Sequence, residues 1–349
     1  MKHCIAKIFI LSIFIFSCSN REKFVVLEGY AQGGTYSVKY NTRTNDGGVF
    51  RDNESLSKEV DSLLVLIDNS LSGYNKLSTL SQFNRGEVVS PNDFFLDIYK
   101  KSYSYFEFTD GAVDVAAAPL FDLWGFGFTS NKLPIDEDVT ACMMNIGMRR
   151  LKKDIDSCID PMGRLNPKNL LQNEDVTLPK LNYNAVAQGY ACDVIAQYLD
   201  TKKITDYLIF VGGEIYCKGK NPKGKQWTIA IDSPKDGNFT PGADIQKVFS
   251  APENGCGVVT SGNYRKFYEK DGRKYAHTID PRTGYPVNHN LLSATIIAAD
   301  ATVADALATF CMVVGFEKAK DFLAEHPEYK AVLIYDEDGE FKTWTTSTL

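Results

Sequence analysis

Asp305 and Thr309 stand one helical turn apart in an apolar stretch near the carboxyl end of the chain. The spacing of apolar residues over 302–314 predicts a helix that is buried on most sides, with Asp300 as its amino-terminal cap. Burying an unpaired carboxylate is costly, so Asp305 needs a cation or strong donors nearby. A carboxylate and a hydroxyl on one face form half of a hard oxygen site that suits Mg²⁺. The alternative is a carboxylate satisfied by backbone donors or an arginine, with the Thr309 hydroxyl bonded to its own helix.

His277 and Asp280 lie on a predicted strand that runs into a turn containing proline and glycine. Histidine is the natural proton carrier near neutral pH, so His277 is a candidate acid or base, although a lone histidine is more often structural. Just upstream, residues 260–264 form a small-residue turn. Its backbone amides could approach a phosphate, or the turn could simply end a strand.

Three further segments place small residues where a backbone must come close to another group. They cover residues 111–119, 184–190 and 210–215. None is specific by itself, because core packing and tight turns also select small residues.

The strands and helices that must position these residues follow one another without a regular βαβ rhythm. Hydrophobic periodicity predicts helices over 56–71, 94–109, 139–146, 184–199 and 302–314. Strands are predicted over 24–28, 36–40, 207–211, 227–232, 258–261, 275–279, 292–298, 331–335 and 341–344. No glycine-rich fingerprint follows a first strand, which argues against a Rossmann domain. We therefore expect an α+β fold, a single compact domain with mixed, largely antiparallel sheets and flanking helices.

The first residues have the layout of a bacterial export signal. Lys2 and Lys7 precede an apolar run over 8–16, which is too short to be a permanent transmembrane helix. The segment that ends at Cys18 resembles a lipobox, in which the cysteine becomes lipidated and forms the new amino terminus. We expect a lipoprotein signal peptide over 1–17, a lipid-anchored tether over 18–24 and a domain over 25–349 that faces the periplasm. The alternative is a plain signal peptide with an incidental cysteine.

Charge and cysteine content limit the remaining classes. The formal net charge of −6 gives no global reason to bind nucleic acid. None of the cysteines beyond the signal forms a CxxC pair or a zinc-like spacing. An exported protein could pair some of them, but the sequence leaves the pairing open. These cysteines are Cys142, Cys158, Cys192, Cys217, Cys256 and Cys311.

Together, and in this order, the motifs resemble the ApbE family of FAD:protein FMN transferases. The matching segments span most of the body of the chain, and each is moderately specific. They are residues 33–36, 71–74, 78–84, 111–119, 123–127, 182–193, 211–214, 260–262, 277–284 and 304–309.

The resemblance implies a particular set of site residues. A metal, Mg²⁺ or another divalent cation, would be held by the side chains of Asp305 and Thr309 and by the main-chain carbonyl of Ala185. FAD contacts are implied at Gly33, Tyr74, Asp114, Val115, Ala116, Asn182, Gln188, Ser261, Gly262, His277 and Ile279.

The activity implied is Mg²⁺-dependent transfer of FMN from FAD to a Ser or Thr hydroxyl of an exported flavoprotein, with release of AMP. The acceptor class includes subunits of redox-driven ion pumps. Asp305 would act through the metal, while His277 or Asp280 would assist proton removal or organise the pyrophosphate. The same site could serve a Mg²⁺-dependent FAD pyrophosphatase with water as the nucleophile. A non-catalytic flavin-binding lipoprotein is the third alternative.

The sequence departs from the family pattern at three positions. The family often has methionine where Gly33 stands, so the packing against the flavin or adenine ring would differ. It usually has aspartate where Asn182 stands, which removes one anionic contact. It commonly has lysine where Gln188 stands, and glutamine offers the phosphates a neutral donor instead.

Overall fold

The chain from Phe24 onward begins with a β-hairpin in the computed structural model, which describes residues 24–126, 133–173, 177–234, 242, 244–262, 267–270, 273–276 and 278–347. Strands β1 (Phe24–Ala31) and β2 (Gly34–Asn41) pair antiparallel, with Ala31 opposite Gly34. Gly33 closes the turn at φ 75°, a left-handed conformation that glycine adopts without the steric cost of a side chain. The predicted pair of strands around this turn is confirmed.

Strands dominate the second half of the described chain. After the hairpin come β3 (Tyr207–Val211), β4 (Glu214–Lys218), β5 (Thr228–Asp232), β6 (Ile245–Ser250), β7 (Cys256–Gly262), β8 (Phe267–Lys270), β9 (Arg273–Ala276), β10 (Ile279–Asp280), β11 (Tyr285–Pro286), β12 (Leu291–Ala298), β13 (Lys330–Glu337) and β14 (Glu340–Thr345). Eight strands of the described chain, including both strands of the hairpin, form one sheet in the order β1-β2-β3-β4-β7-β12-β13-β14. Every neighbouring pair in that sheet is antiparallel.

The helices lie mostly between β2 and β3 and between β12 and β13. They are α1 (Asn53–Leu71), α2 (Thr79–Asn84), α3 (Asp93–Phe108), α4 (Ala118–Leu123), α5 (Asp136–Met143), α6 (Ala187–Thr201), α7 (Ala301–Val314) and α8 (Phe316–Glu325). Several begin at a side-chain cap of the expected type. Asp52 accepts from the Ser55 amide at α1, and Asn92 accepts from the Phe95 amide at α3. None of the helices in the described ranges is long and apolar enough to cross a membrane.

The two faces of the large sheet are covered by different layers. Helix α7 packs on β7 and β12, and α6 packs on β3 and β4, so the helical layer lies on one face. On β7, Val259 belongs to the core on the helical side, whereas Val258 belongs to a second core that includes Trp227 of the β5–β6 region. Successive side chains on a strand point to opposite faces, which explains how one strand serves both cores.

The predicted α+β domain with largely antiparallel sheets and flanking helices is confirmed, while some element boundaries are wrong. The helix predicted over 139–146 runs from Asp136 to Met143, because Asp138 accepts the Ile135 amide at 3.2 Å and starts the helix earlier. The strand predicted over 275–279 falls on β9 and β10. Several short elements, such as α2, α4 and β4, were not predicted, since elements of this length gain their stability from tertiary packing rather than from local sequence.

Candidate functional site

Asp305 lies at the contact between α6 and α7 and is only 4% exposed. Its Oδ2 accepts a hydrogen bond from the Gly189 amide at 3.2 Å. A Cβ at Gly189 would lie 2.4 Å from the Ala301 carbonyl oxygen and 3.0 Å from the Asp305 Cβ. The glycine therefore lets the α6 backbone lie directly against α7, which brings the carboxylate to the start of α6.

The Ala185 carbonyl lies one turn before Gly189, and in a regular helix it would accept the Gly189 amide. Helix α6, however, begins at Ala187 with Val186 at its N-cap, so Ala185 lies just outside it and the first bond of the helix runs from Tyr190 to Val186. The Gly189 amide belongs to the first turn, which has no intrahelical acceptor, and it donates to Asp305 instead. Among the described residues, no backbone amide donates to the Ala185 carbonyl, which lies four residues before this contact.

Thr309 follows Asp305 by one turn of α7 and is half-buried. Within the described part of the chain its hydroxyl makes no hydrogen bond, so it does not bond back to its own helix. A carboxylate, a hydroxyl and a carbonyl are hard oxygen donors, as Mg²⁺ requires. No cluster of three His, Cys, Asp or Glu side chains arranged for a metal occurs in the described ranges, so a site here depends on mixed oxygen donors.

A second buried carboxylate, that of Glu214, lies at the start of β4 on the same side of the protein. Its Oε2 has no hydrogen-bond partner within the described residues. Burial raises the pKa of Glu214 well above its usual value, and the charge of nearby Asp305 raises it further. Burial likewise raises the pKa of Asp305. Within the described ranges neither carboxyl group forms an ion pair with a Lys or Arg, and two such neighbouring groups fit a site for a divalent cation.

Asp193 of α6 caps α7, a role that the sequence assigned to Asp300. Its carboxylate accepts the amides of Ala301 and Thr302 at 2.8 Å each and also the Thr302 hydroxyl. Asp300 occupies the cap position by its backbone, but its side chain makes no capping hydrogen bond. The predicted cap position of Asp300 is therefore confirmed, but the capping hydrogen bonds come from Asp193 of the neighbouring helix.

Gln188 connects the start of α6 to the β1–β2 turn. Its Nε2 donates to the Gln32 carbonyl at 3.1 Å, next to Gly33. A Cβ at Gly212 would lie 2.0 Å from that same Nε2, so this glycine makes room for the glutamine side chain. The Gly212 amide in turn donates to the Thr35 carbonyl at 3.0 Å. The structure therefore brings Gln188 next to the turn that contains Gly33, and a contact of either residue with FAD stays a prediction.

The segment at Asp114 and the segment at Asn182 lie side by side. The Asn182 amide donates to the Val115 carbonyl at 2.7 Å. Asp114 accepts the amides of Ala116 and Met148, at 2.8 and 3.1 Å through Oδ1. Its carboxylate thus fixes the turn that holds Val115 and Ala116. A contact of these residues with FAD stays a prediction.

Ile279 and Asp280 lie against the α4–α5 region. Ile279 is buried in a small core with Leu120 and Trp124, and the Trp124 indole donates to the Gly284 carbonyl at 2.8 Å. Asp280 accepts from Arg282 through both oxygens, at 2.9 Å from Nε and 2.8 Å from Nη2. The carboxylate of Asp280 is therefore paired with a guanidinium. His277, the other proposed proton carrier, lies outside the described residues.

The other predicted FAD contacts lie at a strand end and on a turn. Ser261 and Gly262 end β7, opposite Ala294 and Ser293 of β12, and α7 packs on both strands. Tyr74 lies in the turn after α1 and is 72% exposed, and its amide donates to the Ser72 hydroxyl at 3.3 Å.

A protein-family model decides the relationship of this chain to known proteins. The model described as "ApbE family" matches residues 33–333. The chain belongs to the ApbE family. The match begins at Gly33 in the β1–β2 turn, includes the α6–α7 contact and ends within β13.

Curated and solved members of the ApbE family support this assignment. The FAD:protein FMN transferase of Haemophilus influenzae is 31% identical over 343 residues, which are 97% of this chain and 94% of that protein. The enzyme of the same name from Escherichia coli is 36% identical over 297 residues, which are 83% and 79% of the two chains. The solved structure of the flavin transferase ApbE from Vibrio cholerae superposes with a TM-score of 0.76 at 31% identity, covering 94% of this chain and 98% of the other.

Membership of the ApbE family confirms the resemblance inferred from the motifs. In the sequence, the segment that contains Glu214 stands out for its small residues, and Glu214 itself was not predicted as a site residue. The signal was the carboxylate that follows Gly212 and Gly213 in an otherwise apolar stretch. Its relation to Asp305 depends on how β4 and α7 pack, which the spacing along the chain does not encode.

Proposed function

We propose that this chain transfers the FMN half of FAD to a hydroxyl of an acceptor protein and releases AMP. Its place in the ApbE family and the names of its relatives support the reaction class. The observation that carries the proposal is the Gly189–Asp305 hydrogen bond, which holds a buried carboxylate at the first turn of α6, four residues after Ala185. A binding protein for a neutral ligand would have no need of this arrangement.

Asp305, Thr309 and the Ala185 carbonyl would hold Mg²⁺, with Glu214 adding negative charge nearby. Mg²⁺ bound there would supply charge neutralisation and alignment at the pyrophosphate of FAD. The fit rests on the donor set, since all of these groups offer oxygen and two of them are buried carboxyl groups.

The reaction balances as one displacement at phosphorus. The acceptor's hydroxyl oxygen forms a bond to the flavin-side phosphorus of FAD. The bond from that phosphorus to the bridging oxygen breaks, and AMP leaves with that oxygen. The hydroxyl proton passes to a base near the attacking oxygen. FMN stays on the acceptor through a phosphoester.

We assign His277 the role of proton carrier and Asp280 an organising role. Asp280 is held by Arg282 through both carboxylate oxygens, so its position is fixed. Gly33 and Gln188 would line one part of the FAD site, since the Gln188 side chain donates to the Gln32 carbonyl next to Gly33. Asn182 and Val115, whose backbones share a hydrogen bond, would line another part.

The test is an incubation of the full chain with FAD, Mg²⁺ and a candidate exported flavoprotein domain, with and without EDTA. We expect the acceptor to gain the mass of one FMN residue only when the metal is present. FAD that is split to free FMN and AMP without acceptor labelling would instead establish a pyrophosphatase. Intact FAD with several different acceptors would leave a flavin-binding protein as the conclusion.

We also propose that the enzyme is exported and anchored to a membrane through lipidated Cys18, where it meets acceptors such as a subunit of a redox-driven ion pump. The basis is the sequence of the first 18 residues. Expression with radiolabelled palmitate should label the wild-type chain and leave Cys18→Ala unlabelled. Equal labelling of both chains, or of neither, would contradict the lipid anchor.

A further inference from the structure

Cys217 and Cys256 lie directly opposite each other on neighbouring strands of the large sheet. Strand β4 pairs antiparallel with β7, and the register places Cys217 against Cys256. Directly opposed residues in an antiparallel pair have Cα atoms about 4.5–5.5 Å apart. Disulfides span Cα separations of about 4.4–6.8 Å, so the backbone already suits a bridge. The sequence alone left the cysteine pairing open.

Both thiols point to the same side of the sheet. They belong to the core beneath the β5–β6 hairpin, together with Trp227 and Val258. Cys217 is fully buried and Cys256 is 2% exposed, and neither is in a disulfide here. No other pair of described cysteines is matched across neighbouring strands of the sheet.

The two thiols differ in their surroundings. It lines a cleft of about 610 Å³ whose wall also includes Lys247 and Lys330. The neighbouring Cys217 thiol lowers the pKa of Cys256, and the charge of Lys330 lowers it further. The same thiol contact raises the pKa of Cys217. A neighbouring thiol and a lysine both favour ionisation of Cys256 over that of Cys217, so Cys256 is the expected first nucleophile.

We propose that Cys217 and Cys256 form a redox pair that closes into a disulfide between β4 and β7. A small disulfide compound acts as the oxidant. The Cys256 thiolate attacks one sulfur of that compound and releases a thiol. Cys217 loses its proton and attacks the Cys256 sulfur, which releases the second thiol. The two cysteines are oxidised by two electrons, and one external disulfide is reduced to two thiols.

The disulfide would join β4 and β7, two strands that also carry candidate site residues. Glu214 begins β4 and Ser261 lies near the end of β7, both at the end of the strands away from the cysteines. Closing the bridge would also enclose the whole β5–β6 hairpin in a loop. A cross-link over a loop of this length stabilises the folded state, chiefly by restricting the unfolded chain.

The test uses the full-length chain, reduced and then exposed to oxidised glutathione. After denaturation the free thiols are blocked with N-ethylmaleimide, and the intact mass and a non-reducing peptide map are recorded. We expect two fewer alkylated thiols and one linked peptide pair that contains Cys217 and Cys256. The oxidised chain should melt roughly 4 °C or more above the reduced chain.

Two variants make the result specific. Cys217→Ser should lose the linked peptide pair and the oxidation-dependent shift in melting temperature, and should accumulate glutathione on Cys256. Cys142→Ser removes a more exposed cysteine and should keep both. Free Cys217 and Cys256 after oxidation, or a bridge between other cysteines, would overturn the proposal. Should Cys217→Ser fail to fold, the wild-type peptide map decides the question by itself.

Discussion

The Gly189 amide donates to Asp305 across the α6–α7 contact at 3.2 Å, and the contact is close because residue 189 has no side chain. The packing of these two helices therefore sets the position of Asp305, a candidate metal ligand. The same hydrogen bond satisfies part of the carboxylate and one of the first-turn amides of α6, which have no acceptor within the helix. The start of α6 and the middle of α7 are thereby fixed as one unit.

Gly189→Ala should separate the two helices. The new Cβ would meet the Ala301 carbonyl oxygen, so we expect a loss of about 1–3 kcal/mol in the free energy of unfolding, measured by urea denaturation. FMN transfer should fall as well, because Asp305 would be displaced. Gln197→Ala, at an exposed position of the same helix, is the control and should change stability by less than about 0.5 kcal/mol. A fully stable Gly189→Ala variant would show that the close contact is not required.

Removing the charge of Asp305 should stop metal-dependent transfer without unfolding the protein. Asp305→Asn keeps an oxygen for the Gly189 amide but loses the negative charge, so we expect the transfer rate to fall roughly 100-fold or more. Thr309→Val should also lower the rate, while Thr309→Ser keeps the hydroxyl and should stay close to wild type. The rates are followed by acceptor mass, with circular dichroism as the folding control. Wild-type rates in Asp305→Asn would contradict the metal assignment.

Glu214→Gln should stabilise the metal-free protein and weaken its binding of metal. Glutamine removes one of two neighbouring buried carboxyl groups that disfavour each other's charge, so we expect the metal-free protein to become about 1 kcal/mol more stable. Its affinity for Mg²⁺, measured by calorimetry, should fall about tenfold, since a nearby negative charge is lost. Glu340→Gln, on exposed β14, should change neither quantity. Unchanged metal affinity in Glu214→Gln would separate this residue from the site.

Asp193 should make stability depend on pH. Burial raises the pKa of Asp193 from 3.8 to about 6 in the folded protein. Between these values the folded state holds a proton that the unfolded state has released, so this group's contribution to stability falls as pH rises through the window. The difference in unfolding free energy between wild type and Asp193→Asn should therefore shrink by on the order of 3 kcal/mol from pH 4 to pH 7. A stability difference between wild type and Asp193→Asn that stays constant across this pH range would argue against the raised pKa of Asp193.

Local sequence determined the elements that depend on contacts between near neighbours. The helix over 302–314 and the hairpin around Gly33 follow from hydrophobic spacing and from the freedom of glycine, and both are present. The oxygen pair of Asp305 and Thr309 follows from the period of the helix. The family follows from the order of the motifs along the chain, which the family model confirms.

The tertiary structure alone decided which distant groups meet. The capping of α7 by Asp193, the neighbourhood of Glu214 and Asp305, and the pairing of Cys217 with Cys256 each join residues from different elements. Local propensities act over one or two turns of helix, so they place a residue on an element but leave open how the elements pack. Strand order and helix packing minimise exposed apolar surface over the whole chain, and that global balance selected these partners.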